Sequence, residues 1–178
     1  RLWNEVLLFS IRNDLARPTV HARNLFHTSA AMYDAWSIVN QQGSPYLIGN
    51  INNGFESSFS SFSSSENHYE KEINAISYSA YRIIKHRFLN SPGYNEIINR
   101  ANNLMSILGL DINNLNSENY SENSIALGNY IAENYIQYGL LDGSNEQDDY
   151  ENQFYSPVNE PLTPIFSGSV FSNLSSSS

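Results

Sequence analysis

The sequence contains no cysteine and very little lysine. Without cysteine the chain cannot form disulfides, use a thiolate in catalysis or bind zinc through sulfur. Lys71 and Lys85 are the only lysines, and 18 acidic residues against nine basic ones give a formal net charge of −9. Such a charge opposes binding to a phosphate backbone or to anionic lipid, so we expect no nucleic-acid partner.

Long apolar runs are also missing, because no stretch approaches the ~20 residues that span a bilayer. We therefore expect no transmembrane segment. No apolar signal region follows Arg1, which suggests that any targeting peptide has been removed or never belonged to the chain. The lack of cysteine is compatible with export, and we expect a periplasmic, cell-surface or extracellular location.

Helical periodicity dominates what is present, and it predicts an all-α fold of about five helices in a bundle-like lobe with long polar loops. The predicted helices cover about 2–16, a second segment starting at Pro18 or Thr19, about 67–89, a segment between Pro92 and Gly109, and about 121–138. We expect Ser121 to cap the last helix and Gly139 to end it. Gly128, inside that helix, indicates that another backbone passes close by.

The second helix has one apolar side that mixes small and large residues. This side is predicted to pack closely against other helices at its small positions and to be anchored at its large ones; its members are Ala22, Leu25, Phe26, Ser29, Met32, Tyr33 and Trp36. In the first helix the predicted buried residues are Leu7, Leu8, Ile11 and Leu15. In the third helix they are Tyr69, Ile73, Ile76, Ala80, Ile83 and Arg87.

Residues 110–120 are predicted to form a polar loop, and two longer segments also lack helical periodicity. Residues 40–65 are predicted to form a long loop that three aromatic side chains pin to the helices, namely Phe55, Phe59 and Phe62. Beyond Leu141 the sequence carries Pro157, Pro161 and Pro164, so we divide the chain into a helical lobe, 1–140, and an extended arm or linker, 141–178. The arm is expected to lie against a partner chain, a second copy or a missing C-terminal part, and protease is expected to cut first after about Leu141.

Arg23, His27 and Asp34 share the second helix and could present a cation, a base and a carboxylate along one side. His27 and Asp34 lie about 10 Å apart along the helix axis at 1.5 Å per residue, so they cannot touch. We interpret all three as structural. Asp34 is expected to be buried, with Arg12, Arg17, a more distant arginine or free backbone amides as its partner.

The remaining candidate clusters also have structural explanations, and we assign no catalytic, cofactor-binding or metal-binding residue. No histidine pair has the i, i+4 spacing typical of zinc sites. His86, between Lys85 and Arg87, is predicted to belong to a solvated basic patch that faces acidic groups. The acidic run from Asp142 to Glu151 offers oxygen ligands for calcium, but its spacing fits a polar turn at a helix exit better than the twelve-residue calcium loop.

Tyrosine is abundant, with twelve residues in the chain. Five of them cluster near the arm, at Tyr130, Tyr135, Tyr138, Tyr150 and Tyr155. They could form an interaction surface, but tyrosine at helical spacing is more often part of the core with its hydroxyl at the rim.

Several segments together resemble the N-terminal helical region of vanadium-dependent haloperoxidase-like proteins, relatives of the type 2 phosphatidic acid phosphatases. The likeness spans roughly residues 1–160 and rests on Trp3-Asn4-Glu5, Ile11-Arg12, Ala16 to Arg23, Ala30 to Ala35, Tyr78 to Arg82, Lys85 to Phe88, Leu127 to Ala132 and Asp142 to Gln147. The resemblance implies a parent protein that uses vanadate to oxidise halide with peroxide, or that hydrolyses phosphate esters.

The motifs with which that family holds vanadate or phosphate are missing from this chain. Neither lysine is followed by Arg-Pro seven and eight positions later. Ser91-Pro92-Gly93-Tyr94 differs from the family's Pro-Ser-Gly-His segment in the order of its residues and lacks the histidine. The resemblance therefore implies that this chain is a scaffold lobe whose catalytic part lies elsewhere. The alternative is a non-catalytic helical structural or interaction subunit of a larger exported assembly.

Overall fold

The computed structural model describes residues 1–156 and 158–159, and within them the fold is predominantly helical. Its five α-helices are α1 (Leu2–Arg12), α2 (Pro18–Asn40), α3 (His68–Arg87), α4 (Tyr94–Ile107) and α5 (Ser124–Leu141), and a short 3₁₀ helix (Glu146–Asp148) comes after them. This confirms the predicted fold class. Among the described residues no helix is long and apolar enough to cross a membrane.

The central helix is α3, because it separates two hydrophobic cores. On one side it packs against α2 and α5, and on the other against α1 and α4. Ala75 and Ile83 face the first core, whereas Tyr78, Tyr81 and Phe88 face the second. Trp3 of α1 closes the second core and donates its indole N–H to Ser77 Oγ, 3.0 Å away.

Helix α2 buries the side opposite to the one that was predicted. The apolar side named above is exposed or half-buried, and the buried residues lie on the other side: Val20, Asn24, His27, Thr28, Ala31, Asp34, Ala35, Ser37, Ile38 and Val39. The prediction failed because small residues on this inward side allow close approach to α3 and α5. Asp34, His27 and Ser37 find hydrogen-bond partners within the protein.

Helix α5 begins and ends later than predicted. Its N-cap is Asn123, whose side chain accepts a hydrogen bond from the Ala126 amide at 2.9 Å, and Ser121 lies in the turn before it. The helix continues through Gly139 to Leu141. A side chain at Gly139 would meet the guanidinium groups of Arg23 and Arg87, so the glycine lets both groups approach the α5 backbone in the positions observed.

Other boundaries and buried positions agree in part. Helix α1 ends at Arg12, before the predicted residue 16, and Leu8 is exposed while Leu7 is buried. In α3, Tyr69 is exposed, but Arg87 is buried as expected. Gly109, which was expected to bound the fourth helix, follows α4 in a left-handed conformation, with φ of 72°.

The loop between α2 and α3 is pinned by aromatics, as predicted. Phe62 is buried in the first core, and Phe55 and Phe59 pack against it. The loop also contains an unexpected β-hairpin, in which Ile51–Asn52 (β1) pairs antiparallel with Phe55–Glu56 (β2). Its turn, Asn53-Gly54, has positive φ at both residues, which is the conformation that an Asn-Gly hairpin favours.

Candidate functional site

Charged and histidine side chains from three parts of the fold meet at one end of α3. Arg23 and His27 come from α2, and His86 and Arg87 from the last turn of α3. The residues after α5 supply Asp142 and Glu146. We call these six residues the ionic cluster, and it is the largest concentration of charge in the described part of the chain.

Arg23 joins α2 to the chain that follows α5. Its Nε donates to Asp142 Oδ2 at 2.5 Å, and its Nη2 donates to Glu146 Oε2 at 2.7 Å and to the Gly139 carbonyl at 2.8 Å. The guanidinium also lies over the Tyr150 ring. Burial alone would lower the pKa of Arg23, but the hydrogen bonds to the two carboxylates outweigh it and raise the pKa.

Arg87 is the most deeply buried charge of the cluster, with no exposed side-chain area. It donates to Glu146 Oε2, to the Tyr135 carbonyl at 3.1 Å and to His27 Nδ1 at 3.2 Å. Burial and the nearby Arg23 lower the pKa of Arg87, although Glu146 acts in the opposite direction. Because a guanidinium keeps its proton far above neutral pH, Arg87 is a buried cation that needs a carboxylate partner.

Glu146 supplies that partner and accepts from three side chains. In addition to Arg23 and Arg87, His86 Nε2 lies 2.9 Å from Glu146 Oε1. Burial would raise the pKa of Glu146, but the hydrogen bond from His86 and the two guanidinium groups hold it below its usual range. The pKa of Asp142 is lowered for a similar reason, since the hydrogen bonds from Arg23 and Ser144 outweigh its burial.

His27 is neutral in this arrangement. Its Nδ1 accepts from Arg87, which can only donate, so the ring proton lies on Nε2, 3.6 Å from Asp142 Oδ2. Burial, together with the nearby cations Arg87 and Arg23, lowers the pKa of His27 from its ordinary value of 6.5 to about 4. His27 therefore stays uncharged at neutral pH.

A smaller polar group surrounds Asp14, next to the ionic cluster. This buried carboxylate accepts from Ser91 Oγ at 2.9 Å and lies 3.2 Å from His21 Nε2. Arg17 lies between Asp14 and Asp149, at 3.7 and 3.2 Å. Arg17 therefore gives the chain after α5 a second attachment to the helices.

Asp34 lies in a separate buried site and does not contact the ionic cluster directly. It accepts from three consecutive loop amides, those of Tyr46 at 2.5 Å, Leu47 at 3.0 Å and Ile48 at 3.2 Å, and from the Tyr135 hydroxyl at 3.1 Å. Burial raises the pKa of Asp34, and these four hydrogen bonds oppose the rise. The prediction of a buried Asp34 with backbone amides as partners is confirmed. Asp34 lies apart from Arg23 and His27, as its separation from His27 along the helix axis predicted.

The remaining candidate residues from the sequence lie partly in the ionic cluster and partly in the core or at the surface. His86 faces an acidic group, Glu146, and is partly exposed, whereas the neighbouring Arg87 is buried, as its inward position on α3 predicted. Tyr135 and Tyr138 belong to the first core, Tyr130 stacks on Tyr120, and Tyr155 is exposed. In the acidic run, Asp142 and Glu146 bind arginine. Within the described residues no group of three acidic, histidine or cysteine side chains could hold a metal ion.

The residues Asp142–Tyr150, which we call the strap, thus lie against the helical lobe. Their backbone is unusual, since Asn145, Asp149 and Tyr150 all have positive φ, at 58°, 50° and 65°. Such conformations cost on the order of 1 kcal/mol or more for a residue other than glycine, and the ion pairs with three arginines offset that cost. The division of the chain at residue 140 stays a prediction, and residues 157 and 160–178 lie outside the described residues.

The sequence did not reveal the pairing of Arg87 with Glu146, because the two residues are 59 positions apart. One feature of the sequence could have indicated the pairing. An arginine at an inward position of α3 requires an acidic partner, and the only acidic run of the sequence without helical periodicity follows α5. No comparable feature of the sequence indicated that Asp14 would be buried.

No family model, curated protein or solved structure matches this chain.

Proposed function

We propose that this chain is the N-terminal helical scaffold lobe of a haloperoxidase-like protein whose vanadate or phosphate site lies outside it. The sequence resemblance over residues 1–160 motivates the proposal. The observation that carries it is the apolar side of α2, on which Met32 and Trp36 are half-buried and the other residues are exposed. We call this side the α2 stripe; it consists of Ala22, Leu25, Phe26, Ser29, Met32, Tyr33 and Trp36.

The α2 stripe is unusual because large apolar residues of the helix face outward while several polar residues face inward. Leu25, Phe26 and Tyr33 are 36%, 48% and 42% exposed, while Asn24, Thr28 and Asp34 are fully buried. An amphipathic helix normally buries its apolar side, and contiguous exposed apolar surface marks a site of contact with another protein surface. The stripe also carries no charge, so it suits permanent burial against a second apolar surface.

The state of the ionic cluster supports the proposal that the vanadate or phosphate site lies outside this chain. Arg23 and Arg87 already bind Asp142 and Glu146, so the strap balances the charge of each guanidinium. With Asp142 and Glu146 bound, the donor set does not fit vanadate, because these two carboxylates would repel an additional oxyanion. By resemblance, vanadate belongs to the missing catalytic part, and we assign no cofactor to this chain.

The alternative is a non-catalytic structural or interaction subunit of a larger exported assembly. The α2 stripe favours this alternative as well, because a partner chain could cover it. The two proposals differ in the polypeptide expected downstream of the lobe. Only the first expects a lysine-arginine motif and a Pro-Ser-Gly-His segment later in the same gene.

The proposal is tested by producing the lobe and the downstream polypeptide of the same gene as separate chains and measuring their affinity. Replacing Leu25 and Phe26 together with serine should weaken association at least tenfold and leave the helical circular dichroism unchanged. Ile107→Ser is the matched control, since Ile107 is an exposed apolar residue on α4. Undiminished binding by the double variant would contradict the proposal, as would vanadate-dependent bromide oxidation by this chain alone.

A further inference from the structure

The carboxylate of Glu146 sits in a socket built by two helices. Arg23 Nη2 on α2 and His86 Nε2 on α3 lie 2.7 and 2.9 Å from its two oxygens, and Arg87 Nη1 donates to the same oxygen as Arg23. Three donors that converge on both oxygens of one carboxylate make a binding site for that group. We call Arg23, His86 and Arg87 the carboxylate socket.

The socket does not depend on Glu146 for its shape. Arg87 is also held by the Tyr135 carbonyl and by His27, and Arg23 by Asp142 and the Gly139 carbonyl. These contacts come from α2, from α5 and from Asp142, the first strap residue, which caps α5 and stays in place when the strap opens beyond it. The donors therefore keep their positions when the glutamate leaves.

The residues that bring Glu146 to the socket are held less well. Glu146 lies in a single-turn helix within the strap, and three other strap residues adopt positive φ, namely Asn145, Asp149 and Tyr150. Backbone strain of this kind persists only while side-chain contacts compensate for it. A cavity of about 240 Å³ borders Glu146 and is lined by residues that include Arg17, His86, Arg87 and Tyr150. His86 is partly exposed there, so the socket can be reached from solvent.

The buried positive charge of Arg87 requires another anion in place of Glu146 when the strap moves. Arg87 is fully buried, and without Glu146 it would lack a bound carboxylate, because Asp142 binds Arg23. An unpaired buried cation is strongly unfavourable. We propose that the carboxylate socket is a ligand site for an external carboxylate, which Glu146 fills as an internal ligand while the strap is closed.

The first test is chemical rescue of Glu146→Ala by acetate. Thermal unfolding of this variant is followed in sodium acetate and in sodium chloride at the same ionic strength. We expect acetate to restore at least half of the lost melting temperature in a saturable manner. Asp148→Ala is the matched control, because Asp148 is an exposed acidic residue in the same helical turn and should respond equally to both salts.

If Glu146→Ala is unfolded in chloride, recovery of helical circular dichroism on addition of acetate is the equivalent result. Equal behaviour in acetate and chloride, in either measurement, would overturn the proposal. Stronger rescue by inorganic phosphate than by acetate would also overturn it, because the socket would then favour a tetrahedral anion.

The second test uses the unaltered chain and asks whether Glu146 can be displaced. Amide hydrogen exchange in the strap should be at least threefold faster in saturating acetate than in chloride, while exchange in α3 stays the same. Unchanged exchange in the strap would show that Glu146 is a permanent structural partner and would overturn the proposal.

Discussion

At the scale of single residues, Asp34 fixes the start of the loop after α2. One carboxylate satisfies three successive amides, those of Tyr46, Leu47 and Ile48, which otherwise would lose their hydrogen bonds on burial. Leu47 and Ile48 are fully buried in the first core. The carboxylate therefore allows an irregular backbone segment to enter apolar surroundings.

Replacing Asp34 with alanine should lower the free energy of unfolding by on the order of 3 kcal/mol, because it leaves buried amides and the Tyr135 hydroxyl unpaired. Urea unfolding of the variant measures this loss. Ser29→Ala, on the exposed side of the same helix, is the control and should differ from the unaltered chain by less than about 0.5 kcal/mol. An equally small effect at Asp34 would contradict the role assigned to it.

His27 makes a pH-dependent contribution to stability. Its pKa of about 4 in the folded chain lies below its ordinary value of 6.5, so the unfolded chain binds the proton more readily. The contribution is complete above pH 6.5 and is lost as the pH falls, and the loss reaches about 3 kcal/mol near pH 4. The lowered pKa values of Asp142 and Glu146 act in the same direction, since their protonation also favours the unfolded chain.

His27→Gln should remove the histidine part of this pH dependence, because glutamine can accept from Arg87 and does not titrate. Unfolding free energies measured between pH 7 and pH 4 should fall less steeply for this variant than for the unaltered chain. His68→Gln is the matched control at an exposed histidine and should keep the original slope. Identical slopes for His27→Gln and the unaltered chain would show that His27 does not titrate as described.

At the scale of whole helices, Gly128 determines how closely α5 approaches α3. A Cβ at this position would lie 2.7 Å from the Ala75 carbonyl oxygen and 2.8 Å from the Tyr78 Cβ. This confirms the prediction that another backbone passes close to Gly128. Glycine has a lower helix propensity than alanine, but its lack of a side chain allows α5 to pack closely against α3.

Gly128→Ala should be destabilising, by roughly 1 to 3 kcal/mol from overpacking, although alanine favours helices by about 1 kcal/mol. Thermal or urea unfolding gives the sign directly. Gln137, on the exposed side of α5, provides the reference: changing it to glycine and to alanine measures the intrinsic difference between the two residues in this helix. A Gly128→Ala variant as stable as the unaltered chain would mean that α5 and α3 separate without cost.

Periodicity predicted that these helices exist, but it did not predict which side of α2 is buried. A period of 3.6 identifies an apolar side, and the expectation that this side faces the core fails when another surface covers it or when polar partners are available inside. Asp34 and His27 lie on the inward side because loop amides and Arg87 satisfy them. Those partners are remote in sequence, so local pattern could not reveal them.

The ends of α5 differ from the prediction for a local reason. Ser121 and Asn123 are both good caps, and the backbone turn at residues 119–123 selects the later one. Glycine is typical of a helix end, but at Gly139 the lack of a side chain serves the approach of two arginines. In the loop after α2, Asn53-Gly54 is the local sequence sign that could have predicted the hairpin.

At the scale of the whole molecule, the strap connects the helical lobe to the residues beyond it. Its attachments are Asp142 and Glu146 in the ionic cluster and Asp149 on Arg17. Residues 151–156, after the strap, are exposed, and Phe154 is 98% exposed. The strap contacts move the expected first protease cut from about Leu141 to a point beyond Tyr150.

Brief treatment of the chain with chymotrypsin should therefore cut first after Phe154 or Tyr155 and leave the strap and the five helices intact. Glu146→Ala, which removes one acceptor for two arginines, should expose Tyr150 and Leu141 to early cutting as well, whereas Asp148→Ala should be cut like the unaltered chain. Mass spectrometry of the first products identifies each position. First cuts at Leu141 in the unaltered chain would show that the strap opens freely, in which case the ion pairs with Arg23 and Arg87 do not hold it against the lobe in solution.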